Sequence, residues 1–337
     1  MKFRSILLAF LLALAANANT YAGEAETCAD WLKTIAFAGH ETEYSGVFVY
    51  QHDDTVETSR ITHLIQSGVE YEKLEGLDGP KREIVRHHGQ VWMSSAHGML
   101  QMDSPQSRGR FPSLLPQQLA ALSENYQAKL AGKERVAGYE AQIILFQPKD
   151  SSLYSHKIWV HSDSGLLVKA AVLAEKGKIV EQYMFTQLQV GGEIDRAWLK
   201  STIAKTFHSK KGHGISKSKH AESYTHTQPF NSGWVAGFVP TGFKKITELE
   251  RPMQGKHAPV TQIVYSDGLG AVSIFVEEND HDEDDFDGMS SRGAMSLYHK
   301  VVGNHLYTVV GEVPPRTIAK ILDSIRHVGK NYLGNAR

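Results

Sequence analysis

Apolar and polar residues alternate with a period of two through Tyr44–His88, in short runs separated by polar turns. That is the pattern of consecutive antiparallel strands. The runs Ser45–Gln51, Arg60–Ile65, Val69–Leu74, Glu83–Arg86, Gln90–Ser94 and Met99–Met102 predict strands. Ala141–Gln147, His156–His161, Leu166–Leu173 and Ile179–Leu188 predict more, with a tight turn at Ser162–Gly165. Ahead of them Cys28, Trp31, Leu32 and Ile35 fall at i, i+3, i+4 and i+7, one face of an amphipathic helix. A second helix is expected from Pro116, with Leu119, Leu122 and Tyr126 spaced along it. So many antiparallel strands with so few helices predict a large curved sheet or open barrel.

A break in composition follows. Ser209–Ser232 is rich in Lys, Ser, His and Gly and nearly empty of aliphatic residues, so it buries too little apolar surface to order itself alone. It reads as a linker, residues 209–232, between a large domain at 23–208 and a smaller one at 233–330. In the smaller domain Val260–Ser266 and Leu269–Glu277 flank Asp267-Gly268, and Ala294–Val302 and His305–Glu312 flank Gly303-Asn304. Both dipeptides suit tight hairpins. Pro314-Pro315 then ends the strand and seeds a helix carrying Ile318, Ile321, Leu322 and Ile325. Two hairpins and a helix predict a small α+β domain.

The N-terminus changes the compartment. Lys2 and Arg4 precede an uncharged apolar run, Ile6–Ala16, and small residues follow at Ala16, Ala18 and Ala22. This predicts a cleavable signal peptide, residues 1–22, with a run too short to span a bilayer. A soluble exported protein is expected. Cleavage removes Lys2 and Arg4 and leaves 34 basic against 37 acidic residues, net −3 with His neutral, which is no nucleic-acid footprint. Cys28 is the only cysteine, so no internal disulfide forms.

Candidate chemistry is sparse. Glu277–Gly288 is strongly acidic, but placing Gly288 at the invariant glycine of a calcium loop puts Ala294 where a bidentate Glu is required. The run reads as a solvated loop between strands. Seventeen histidines are scattered without a His-Glu-x-x-His pattern. Those of the linker, His213, His220 and His226, offer an alternative role in sensing pH or lipid charge. No nucleophile elbow, phosphate loop or dinucleotide fingerprint appears. No catalytic residue, metal or cofactor is therefore expected. The apolar positions of the first sheet are core residues or the lining of an acyl-chain cavity, where Met adapts well to irregular ligands. Val47, Val49, Trp92, Met93, Met99, Ile158 and Val160 are the candidate lining.

Tyr44–His88, with GWVAGFVPTGFK, IVYSDGLGAVSIFVE, RGAMSLYH and YTVVGEVPP in the second domain, resembles the RseB/MucB family of periplasmic sigma-E regulators over essentially the whole mature chain. Lys157–Leu173 also resembles a Trp-strand, turn, strand unit of periplasmic lipoprotein carriers, whose unclosed β-barrel is plugged by helices. The resemblance implies a regulator that binds the periplasmic segment of an RseA/MucA-type anti-sigma factor. It implies shielding of that segment from site-one proteolysis until lipopolysaccharide or lipoprotein acyl chains displace the regulator. It implies lipid in the large domain and peptide mainly on the small domain and in the cleft between the two, with Tyr265, Phe275, Arg292 and Tyr298 as the candidate contacts, and it leaves room for a homo-oligomer. A lipid or lipoprotein carrier acting alone explains the first domain equally well, and a hydrolase needs a triad not visible here.

Overall fold

The computed structural model describes residues 27–87, 90–96, 98–102, 110–115, 120–199, 230–251, 258–279 and 287–329. The signal peptide, most of the expected linker, the centre of the acidic run and the start of the expected Pro116 helix lie outside the described residues.

Helix α1, Cys28–Glu41, begins at a capping box in which Thr27 and Asp30 satisfy each other's backbone N–H groups. Its Trp31 and Ile35 face is buried. Strands β1 (Tyr44–His52), β2 (Thr55–Gln66), β3 (Val69–Gly76), β4 (Arg82–His87), β5 (Gln90–Ser95) and β6 (Gly98–Met102) follow as a meander. After α2, Ala120–Asn125, come β7 (Tyr126–Val136), β8 (Tyr139–Pro148), β9 (Ser155–His161), β10 (Leu167–Leu173) and β11 (Ile179–Val190). All pair antiparallel in one 11-stranded sheet, order β6-β5-β4-β3-β2-β1-β11-β10-β9-β8-β7. The edges β6 and β7 do not pair with each other, so the barrel is unclosed.

One expectation changes here, and one strand is new. Tyr126 opens β7 rather than ending a helix, because its backbone pairs with Pro148. Strand β7 itself carries no alternation. Its YQAKLAGKERV is exposed along most of its length, as suits an edge strand guarded by Lys and Arg and by a bulge between Leu130 and Lys133.

The second sheet runs β13 (Lys244–Arg251), β14 (Val260–Ser266), β15 (Ala271–Glu278), β18 (His305–Gly311), β17 (Met295–Val302) and β16 (Gly288–Arg292). Helix α3, Pro315–Asp323, buries Ile318, Ile321 and Leu322 against it. Ile325 falls past the helix end, in β19 (Ile325–His327), which pairs with β12 (Trp234–Ala236). Ser232, at the end of the expected linker, is built into this domain through hydrogen bonds from its N–H and hydroxyl to Glu248. No described helix is long and apolar enough to cross a membrane.

Candidate functional site

The pleat decides which side chains meet. On β1, Phe48 and Tyr50 point to the inner face, and Val47 and Val49 point outward. Phe48 pairs with Phe185 and Tyr50 with Tyr183 across the β1–β11 ladder. Phe111, in the described stretch 110–115, stacks on Tyr183 at 5.4 Å and packs on Phe48 at 5.2 Å. These rings, with Leu74, Phe146, His156, Ile158 and Ala170, line a cavity of about 510 Å³. That volume lies in the usual range for a small-molecule site, roughly 300–1,000 Å³.

Of the expected lining residues, Ile158 is in the wall. Val160 shares its face but is fully buried in the core. Met93 stands opposite Ile84 in the β4–β5 ladder and outside the lining. Val47, Val49 and Trp92 are corrected, because all face away from the cavity. Trp92 stacks on His87 at 4.9 Å and His87 on Tyr71, which joins the outer cluster of Leu64, Ile194 and Leu199. Met99 pairs with Ser94, and its side chain lies outside the described residues. The missed lining residues include the aromatic Phe48, Tyr50, Phe111, Phe146 and Tyr183.

The small domain closes the mouth. Leu269, Arg292, Ala294, Met295 and Glu312 complete the cavity wall. Three junctions hold them there. At the first, the guanidinium of Arg292 lies 3.3 Å from both His52 and Glu57, Gly293 N–H donates to Asp53, and Ala294 N–H donates to Glu181. Gly293 has φ +57°, and a Cβ there would lie 2.9 Å from Glu181 Oε2, so this tight turn requires glycine. At the second, Asn125 donates to Asp267 at 3.1 Å, and both are buried. At the third, Arg316 and Thr317 at the start of α3 donate to the carbonyls of Ser151 and Ser152.

The expected partner contacts do not form one patch. Phe275 lies on the sheet face away from α3, under the Arg251 guanidinium. Tyr265 and Tyr298 stand on the α3 side, in register with buried Val272 and Val309. A hydrogen bond to Asp287 raises the Tyr298 hydroxyl above its ordinary pKa. Arg292 sits at the domain junction.

The cavity's polar groups are few. Burial raises the pKa of Tyr50 and Tyr183, which keeps both hydroxyls neutral, and Tyr50 donates to Glu181 at 3.1 Å. His161 and Ser164 are 2.7 Å apart, but Ser164 Oγ also accepts from Leu166 N–H, so the pair closes a turn. No cluster among the described residues fits a metal ion.

His156 makes a pH prediction. Desolvation in the wall pulls its pKa from 6.5 down to about 4. Only the unfolded chain gains a proton between those values. Stability is therefore complete above pH 6.5 and falls as the pH drops toward 4. The loss is about 3 kcal/mol once the pH is below both values. Urea midpoints at pH 7 and 4 should differ less in His156→Gln than in wild type. Equal pH dependence in both would show a hydrated ring.

The comparisons with known proteins agree with this architecture. The family model described as the MucB/RseB N-terminal domain matches residues 27–203, and that of the C-terminal domain matches 228–326. "Sigma factor AlgU regulatory protein MucB" of Pseudomonas aeruginosa is 29% identical over 326 residues, covering 95% of this chain and 96% of the relative. "Sigma-E factor regulatory protein RseB" of Haemophilus influenzae is 25% identical, covering 97% and 98%. Among solved structures, MucB in complex with MucA(peri) superposes with a TM-score of 0.71 at 27% identity, covering 90% of this chain and 100% of that one. MucB alone gives 0.59 at 25% identity, covering 89% and 97%. The chain belongs to the MucB/RseB family.

Proposed function

We propose that this protein is a periplasmic negative regulator of a sigma-E-type envelope-stress response. It binds the periplasmic segment of an RseA/MucA-type anti-sigma factor and shields it from site-one proteolysis. An acyl ligand entering the cavity releases that segment. Residues 1–22 direct export, 23–208 sense lipid, 209–232 link, and 233–330 carry most of the partner contact. The protein acts by binding, without turnover.

The observation that carries this reading is the shared wall. The cavity belongs to both domains, so an occupant contacts the small domain directly and biases its position. A differential affinity of about 1–3 kcal/mol between docked and shifted domains suffices for a several-fold to hundred-fold change in partner affinity. Support also comes from the relatives, since both MucA-bound MucB structures score higher, 0.71 and 0.70, than MucB alone at 0.59. The test is a proteolysis assay on the cognate anti-sigma periplasmic segment. Cleavage by the site-one protease should slow when this protein is added and recover when a long-chain amphiphile follows. Unchanged cleavage in its presence would refute the regulator. Protection that ignores the amphiphile would leave a shield without a switch.

A further inference from the structure

His52 is built into the contact between the two domains. It ends β1 and is 2% exposed. The turn Arg292-Gly293-Ala294, which joins β16 to β17, sits directly on it, and a Cβ on Gly293 would come within 3.0 Å of His52 Cβ.

The contact fixes where the ring proton lies. Arg292 Nη2 is 3.3 Å from His52 Nε2. A guanidinium can only donate, so Nε2 accepts and the proton is on Nδ1. The docked turn therefore selects the neutral ring. Nδ1 has no hydrogen-bond partner among the described residues, and Asp53 stands 3.6 Å from it. Glu57 Oε1 lies 3.6 Å from Nε2 and 3.3 Å from Arg292. A proton added at Nε2 acts on Arg292 twice. The nitrogen stops accepting and becomes a second cation beside the guanidinium. It also competes for Glu57, the other acceptor of Arg292 among the described residues.

The remaining charges around the ring do not offset this. Glu181 pairs with His52 in the β1–β11 ladder, but its carboxylate accepts from the Tyr50 hydroxyl and from Ala294 N–H. Tyr50 itself packs on the imidazole at 4.8 Å. Arg82 reaches Glu57 from β4 at 4.0 Å. Asp54 and Lys178, of opposite sign, share a small hollow beside the ring. When the turn lifts, Arg292 leaves while Asp53 and Glu57 still face the ring, and these surroundings suit an imidazolium. The arrangement that suits the added proton gains as the pH falls. The hydrogen bonds of the other two junctions involve no histidine, so they can stay made and serve as the hinge.

We propose that His52 and Arg292 form a proton-operated latch, in which acid releases the β16–β17 turn from the large domain while the other two junctions hold. The latch goes beyond the regulator reading and stands whether or not an acyl chain enters the cavity.

The experiment measures the gap beside the turn in the full mature protein. Spin labels go on Val56→Cys and Met289→Cys, both exposed positions, in a Cys28→Ser background. Distances are recorded from about pH 7.5 to about pH 5.5, which spans the histidine range. Free carboxyl groups titrate near pH 4, below this window. With the latch intact, the lifted population should rise about fivefold across it. His52→Gln offers Arg292 an amide oxygen at every pH, so its distances should stay constant. Arg292→Gln removes the guanidinium from an exposed position without touching the buried ring, and its distances should stay constant too. It decides the matter if His52→Gln fails to fold. His156→Gln should respond as the intact latch does. A gap that ignores pH with both residues present overturns the latch, as does a response that survives in either glutamine variant of the pair. A response lost in His156→Gln overturns it in favour of the histidine of the cavity wall.

Discussion

Asp267→Ala should lower the free energy of unfolding by about 3 kcal/mol and loosen the small domain from the large one. Asp267 sits at the tip of the β14–β15 hairpin and is 3% exposed. Its Oδ1 accepts from the N–H groups of Leu269 and Gly270 at 3.0 and 2.9 Å. Its Oδ2 accepts from Asn125, 2% exposed, across the junction. Alanine leaves all three donors without their acceptor. A buried donor left unmet costs about 1–3 kcal/mol, and partial hydration at the opened junction keeps the total near the lower end of the sum. The packing here is tight on the other side too. A Cβ at Gly242, with φ +77°, would lie 1.8 Å from Asn125 Oδ1. Urea unfolding measures the stability, and spin labels across the junction measure the loosening. Asp267→Asn, which keeps one carbonyl acceptor, should fall between wild type and alanine. A loss below about 1 kcal/mol for the alanine variant would show that this junction does not hold the domains.

That junction shows what the sequence could and could not reveal. Asp267-Gly268 and Gly303-Asn304 were readable as turns, because Gly268 and Gly303 adopt φ +95° and +59° that few other residues tolerate. The partner of Asp267 lies 142 residues away, and no local pattern announces it. The same limit applies to the cavity. Strand β1 is apolar on both faces, with Val47 and Val49 on one and Tyr44, Phe48 and Tyr50 on the other. A period of two then predicts a strand without saying which set points inward. Trp92 looked like lining because it is large and apolar, but a second apolar cluster covers the outer face of β2 and β3. One signal for the inner face was present, since the aromatic residues of β1 recur at Tyr183 and Phe185 on its neighbour β11. Strand β7 escaped because an exposed edge has no buried face to impose alternation.

Ala170→Trp should abolish binding of acyl chains, by about a hundredfold or more, and disconnect lipid from partner. Ala170 is 5% exposed on β10, opposite Ile158, and its side chain lies in the cavity wall. A Trp there occupies the space the chain would take. Overpacking a filled core costs about 1–3 kcal/mol, but this side chain enters open volume, so the fold should tolerate it. In wild type the response should grow steeply with chain length. Each buried methylene yields about 0.8 kcal/mol, so two more strengthen lipid binding by about tenfold or slightly more. Labelled anti-sigma peptide, titrated with and without amphiphiles of increasing length, reads this out. Wild-type peptide affinity should weaken as chains lengthen, while Ala170→Trp should bind peptide normally and ignore every chain. Linkage adds a second reading, because bound peptide must weaken lipid binding by the same factor that lipid weakens peptide binding. A lipid response retained in Ala170→Trp would place the sensing site outside this cavity. Unequal factors in the two directions would show that the measured species are not two ligands sharing one pair of domain positions.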